Sequence, residues 1–249
     1  LKGLEMIRII IISAIIILVA SFNAFASVRV YLIAGQSNAA GMALSSELTD
    51  SEATIPANVE LWVNVSGISG NHRLLSSYRD LPKFGPEVKL IKLLAAHYPN
   101  ERLIVIKIAK GGTNMGHWIA GGAMHTLFFN TIGAVLQGES PKFQRLFWMQ
   151  GCADSVTDYR DDLYEARTVS FFADVRTLDS NMLVCMGLVN PPYPYVYKVS
   201  NAQLRIGKSD PYTRLVTTQG LSKFSDGVHY DRAGVLELGR RMFQKAIGN

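Results

Sequence analysis

Residues 28–38 read Val-Arg-Val-Tyr-Leu-Ile-Ala-Gly-Gln-Ser-Asn. The first seven are apolar and β-branched enough to predict a buried strand over 28–34. Gly35-Gln36-Ser37-Asn38 then breaks the strand and starts a turn into a helix. A serine at that junction can hold its hydroxyl at the rim of a sheet while its own N–H, at a helix start, points into a site. The same four residues also read as an ordinary strand-to-helix turn with a serine cap. What lies further along the chain decides between the two.

Outward from this stretch, short apolar runs alternate with helical patterns. Strands are predicted at Val59–Val63, Leu103–Ala109, Arg145–Met149 and Met182–Val189. Helices are predicted at Glu87–His97, opened by Gly85-Pro86, and at Thr126–Leu136, Tyr159–Leu178 and Ala233–Ile247. That alternation predicts an α/β domain over 27–249 with a mostly parallel five-stranded sheet and helices on both faces. The reactive side chains fall just after the strands, where open α/β sheets bind ligands.

Asp226-Gly227-Val228-His229 precedes the last helix. A three-residue offset on a tight loop lets the carboxylate reach the imidazole Nδ1–H, leaving Nε2 free to take a serine proton. Taken alone it is also an Asp-Gly turn beside a surface histidine. Ser37 early and Asp226 with His229 late form a Ser-His-Asp set. Gly111-Gly112-Thr113-Asn114 and Trp148-Met149-Gln150-Gly151 follow two further strands. They offer the Gly112 N–H and the Gln150 amide which, with the Ser37 N–H, make three donors for an oxyanion. A glycine turn and a strand-end cap are the plain alternatives.

In order along the chain stand Gly35-Gln36-Ser37-Asn38, Phe84-Gly85-Pro86-Glu87, Gly111-Gly112-Thr113, Trp148-x-Gln150-Gly151-x-x-Asp154 and Asp226-Gly-x-His229. This ordered set resembles the sialate O-acetylesterase-like branch of the SGNH hydrolases, from Val28 to Arg241. The resemblance implies a flavodoxin-like three-layer α/β/α fold. It also implies a serine esterase with Ser37 as nucleophile, His229 as base, Asp226 as its partner, and Gly112 and Gln150 in the oxyanion hole. Members commonly remove acetyl groups from sugars, so an O-acetylated carbohydrate is the expected substrate. Three positions depart from the branch. Cys152 stands where an acidic residue usually follows Gln-Gly, Ala39-Ala40 precede Gly41 where methionine is frequent, and Asn114 stands where a small residue is more usual.

Asn38, Asn114, His117, Trp118 and Tyr193 are candidate substrate contacts, the aromatics by stacking on a sugar. A structural role for Trp118 and a rigid surface loop at Pro191–Tyr197 are the alternatives. Residues 1–26 read as a leader for export to the periplasm or beyond. Lys2 and Arg8 precede apolar runs, and Ala24-Phe25-Ala26 gives a small-x-small cleavage pattern. An uncleaved anchor is the competing reading. Hydrophobic residues make up 48% and charged residues 18%, which excludes a disordered chain. The net charge of +5 is spread without a basic run, so nucleic acid is not expected as a partner. Nor is a membrane, once the leader is removed. Asp154 and Asp158 have no histidine at ligand spacing, and Gly-Gly-Thr lacks a phosphate loop's lysine, so neither metal nor cofactor is expected. Cys152 and Cys185 lie too far apart on the predicted strands to pair. A non-catalytic glycan-binding protein and a sugar acyltransferase remain as other readings of the same motifs.

Overall fold

The computed structural model describes residues 28–248 except 69, 75, 140 and 159–160. The expected leader over 1–26 lies outside the described residues. In chain order the elements are β1 (Val28–Gly35), α1 (Ser37–Ala40), β2 (Ala43–Leu44), α2 (Asp50–Ala53), β3 (Val59–Val65), β4 (His72–Leu74), β5 (Lys83–Phe84), α3 (Glu87–His97), β6 (Arg102–Ala109), α4 (Ala123–Val135), β7 (Lys142–Met149), α5 (Asp161–Val175), β8 (Leu183–Gly187), α6 (Val196–Ser209), β9 (Thr213–Val216) and α7 (Arg232–Ile247). Among the described residues no helix is long and apolar enough to cross a membrane.

The main sheet runs β4-β3-β6-β1-β7-β8-β9, parallel throughout except for β4, which pairs antiparallel with β3. Helices flank it in the expected three-layer α/β arrangement. It has seven strands rather than five. β4 and β9 are three and four residues long, too short to leave a readable pattern. Helix α6 was also missed behind the Pro-Tyr run. Its inward face carries Val199, Ala202, Gln203 and Ile206, and one of those four is polar.

β1 lies at the centre, in register with β6 from Val28↔Arg102 to Gly35↔Ala109. Strands covered on both faces lose the polar alternation, and Leu103 through Ala109 are all buried. Lys107 is among them. Its ammonium lies 2.7 Å from Glu87 Oε2 and donates to Ala40 O at 2.6 Å. Burial pulls the Lys107 pKa down, while Glu87 opposes the shift. Glu87 Oε1 accepts the Gly85 N–H at 2.9 Å. The Phe-Gly-Pro-Glu turn is therefore tied to the C-terminal end of α1. Gly41 seals the same junction at φ 90°, since a Cβ there would meet Phe84 O at 2.0 Å.

Removing one member of a buried pair leaves the other charge uncompensated. Lys107→Ala should lower stability by about 3–5 kcal/mol. The double change Lys107→Met with Glu87→Leu should recover part of that loss. Urea unfolding of both variants checks it, and equal losses in the two would contradict the pairing.

Candidate active site

The site is built at the carboxyl end of β1, between strands whose connections leave in opposite directions. Gly35 adopts φ 140°, and a Cβ there would lie 2.0 Å from Met149 O. The chain can therefore turn against β7, with Gln36 N–H donating to Met149 O at 2.9 Å. Ser37 opens α1 and is 8% exposed. Its N–H is one of the donors a helix start leaves without an intrahelical acceptor.

His229 Nε2 lies 2.9 Å from Ser37 Oγ, and His229 Nδ1 lies 2.6 Å from Asp226 Oδ2. The tautomer that donates from Nδ1 to the carboxylate leaves Nε2 as acceptor for the serine hydroxyl. Asp226 Oδ1 accepts the N–H groups of Val228 at 2.8 Å and His229 at 2.9 Å. Partial burial works to raise the Asp226 pKa. The hydrogen bonds from His229 and Val228 outweigh it and hold the carboxyl down to about 2. Gly227, at φ 67°, makes the loop tight enough and packs against Pro192. The structure thus brings together the three residues that the sequence singled out.

Gly111 lies against the turn that carries Ser37, since a Cβ added there would lie 3.7 Å from Ser37 Cβ. Its N–H donates to Ser66 Oγ. Gly112 is exposed at φ 72° with open space around it. The glycine loop therefore sits beside the serine, as the sequence reading requires.

Gln150 does not fit its expected part. Its side chain is 0% exposed. Nε2 donates to Thr113 O at 3.1 Å and to Asp154 Oδ2 at 2.5 Å, so both amide hydrogens are engaged inside the protein. Neither is turned toward a substrate. Asp154 Oδ1 in turn accepts the Met115 N–H at 2.9 Å. Gln150 and Asp154 together clamp the 113–115 segment that follows Gly112. Burial raises the Asp154 pKa most, against hydrogen bonds from Met115 and Gln150 that lower it, and the balance stands at about 6.

Two of the five proposed substrate contacts also move into supporting parts. Asn38 is buried, with Nδ2 donating to Val228 O at 3.0 Å and Oδ1 accepting the Tyr230 N–H at 3.2 Å. It grips the backbone on both sides of His229. Trp118 is fully buried, packed edge-on against Trp148 and Phe171 and donating to Thr113 Oγ1 at 3.2 Å. It cannot stack on a ligand. Asn114 caps the turn at Met115, accepting from Gly116 N–H, and lies 2.9 Å from His117 Nδ1. His117 is exposed and Tyr193 half-buried. Both cysteines are free and buried. At Cys152 burial pushes the thiol up to about 12, so it is neutral at ordinary pH.

Sequence reasoning missed the work of Gln36, whose Oε1 accepts the N–H groups of Gly151 at 3.1 Å and Ala153 at 3.2 Å. It also missed Gln203 on α6. That side chain accepts from Val189 N–H and donates to Gln150 O across the ends of β7 and β8. Gln36 stood in the quoted motif as a signal. Gln203 gave none, being a polar residue in an unrecognised helix.

The fold, a mostly parallel sheet flanked by helices with Ser37 following the first strand, is that of the SGNH-type hydrolases. A model of the family described as carbohydrate esterase, sialic acid-specific acetylesterase, matches residues 27–248. The chain belongs to that family, and it is a hydrolase acting on carboxylic ester bonds. Similar solved structures include a protein of Arabidopsis thaliana at TM-score 0.76 and 15% identity, covering 89% of this chain and 98% of that one. A carbohydrate acetylesterase from Xanthomonas citri gives TM-score 0.67 and 14% identity over 88% of this chain, which spans only 57% of that protein. NanS gives TM-score 0.66 and 14% identity over 88% of this chain and 96% of its own. No curated protein sequence matches.

Two consequences can be measured. Asn38→Ala strands a buried carbonyl and a buried N–H beside His229, which should cost about 1–3 kcal/mol of stability. It should also lower kcat at least about tenfold with KM little changed; steady-state kinetics showing the reverse split would remove the positioning role. Asp154 holds a proton in the folded state that the unfolded chain, with an ordinary aspartate pKa, has already released between about pH 4 and 6. Its contribution to stability therefore falls as pH rises through that window. Asp154→Asn should remove this downward slope in denaturation curves recorded from pH 4 to 8.

Proposed function

We propose that the chain is an exported carbohydrate O-acetylesterase working by double displacement, with Ser37 as nucleophile. The observation that carries this reading is the unbroken hydrogen-bond chain Asp226–His229–Ser37. Ser37 Oγ attacks the acetyl carbonyl as its proton passes to His229 Nε2. Asp226, held ionised, orients the ring and stabilises the imidazolium. The carbonyl oxygen becomes an oxyanion facing the N–H groups of Ser37 and Gly112. The C–O bond to the sugar then breaks, and His229 returns the proton to the departing sugar oxygen. Water, deprotonated by the same nitrogen, attacks the acyl-enzyme and releases acetate and free Ser37.

Gln150 enters this scheme through the 113–115 backbone that it holds and not as a direct donor. The family match supports an acetylated carbohydrate as substrate. Export rests on the leader pattern of residues 1–26.

Ser37→Ala should reduce acetate release by at least about 10⁴-fold, and Asp226→Asn should reduce it by a smaller factor. Acetate release from an O-acetylated glycan panel, wild type against both variants, is the measurement. Ser37→Ala retaining activity would overturn the nucleophile assignment. A new sugar ester in place of free acetate would reassign the chemistry to acyl transfer.

A further inference from the structure

Asp226 and His229 share one short hairpin, closed by an antiparallel bridge between Lys223 and Tyr230. Inside it Phe224 N–H donates to His229 O at 2.9 Å, and Gly227 N–H donates to Phe224 O at 3.0 Å. These backbone bonds fix the shape of the hairpin and leave open where it sits against the sheet. Asn38 holds one side of it, through Val228 O and Tyr230 N–H.

Lys223 holds the other. Its Nζ donates to Asn190 O at 2.7 Å, just beyond the end of β8. The ammonium lies 5.7 Å from the centre of the Tyr230 ring, and Tyr230 OH donates to Asn190 Oδ1 at 3.3 Å. Both strands of the hairpin are therefore fastened to a single residue of the neighbouring loop. A flexible surface lysine gains little from one hydrogen bond, but here the bond, the ring and the bridge act on the same short segment.

The groups that face this ammonium are the Cys152 thiol from the turn after β7, the Asp226 carboxylate of the hairpin itself, and the Tyr230 phenol. Burial pushes the Cys152 thiol up to about 12 and raises the Tyr230 pKa as well, so both are neutral at ordinary pH. Asp226 is the charged one. A cation beside a carboxylate–imidazole pair favours the ionised carboxylate and opposes a second positive charge on the ring.

Building on the Ser37 esterase reading, we propose that Lys223 is a positioning residue of the reaction. Its tether to Asn190 fixes the hairpin, and with it the approach of His229 Nε2 to Ser37 Oγ. Its charge keeps the imidazole available as a base into mildly acidic solution.

The test is steady-state acetate release from p-nitrophenyl acetate between pH 4 and 8, for the full chain and for Lys223→Met and Lys223→Arg, with Ser37→Ala as blank. Lys223→Met should lower kcat about tenfold or more with KM little changed, because small misplacements of a base are costly. The acid limb of its kcat/KM profile should also move up by about half a pH unit. Lys223→Arg, which keeps the donor and the charge, should restore most of both. A kcat of Lys223→Met within about twofold of wild type, or a loss that leaves the acid limb in place, would overturn the proposal and leave the esterase standing. Absence of Ser37-dependent hydrolysis by the wild type would overturn the esterase reading itself, and the proposal with it.

Discussion

The amide of Asn38 bonds both Val228 O and Tyr230 N–H, and so fixes the backbone on either side of His229 relative to the residue after Ser37. Those segments are about 190 positions apart in sequence. Closing so long a loop carries an entropic cost, and small errors in the closure would separate Oγ from Nε2. A side-chain amide suits the task because it supplies a donor and an acceptor in one rigid plane, matched to a carbonyl and an N–H of the facing chain. Burial strengthens the effect, because leaving either backbone group unpaired in that place is expensive. The imidazole is thereby set by its own backbone as well as by Asp226.

The same device recurs around the serine. Gln36 holds the N–H groups after Gln150, Gln150 and Asp154 hold the segment after Gly112, and Lys107 holds the carbonyl end of α1. The segments after β1, β6 and β7 are thus each pinned by a buried polar side chain from a neighbouring segment. Loops are ordinarily the mobile parts of an α/β domain. Here the polar networks tie them to one another and to the sheet, as the proposed oxyanion stabilisation by fixed N–H groups requires.

Much of this was legible in the sequence. The central strands announced themselves through dense β-branched runs, because a parallel strand covered on both faces has no polar alternation to confuse the pattern. That Ser37, Asp226 and His229 meet was legible because the proposed proton relay needs those residue types at those places. The amides were another matter. Asn38 and Gln150 sit in motifs and carry donors that a substrate could use, yet sequence does not say which way an amide points. Trp118 was ambiguous likewise, since a tryptophan beside a glycine loop can serve a sugar or a core. Only the packing of Trp148 and Phe171 against it decides. The two edge strands and α6 were lost for want of length or of a clean apolar stripe.

Cys152 gains its meaning from the same network. The resemblance places an acidic residue there, beside the loop that Asp154 already occupies. Two carboxyls buried close together oppose each other's ionisation. Substituting a thiol that burial keeps neutral removes that repulsion and leaves Asp154 as the acid gripping Met115 N–H and the Gln150 amide. The exchange therefore alters how the scaffold is held and leaves the hydrogen-bonded path from Ser37 through His229 to Asp226 in place. A chain that had only kept the fold to bind glycans would have no physical need of that path, and its completeness here, beside an altered scaffold residue, argues for retained chemistry.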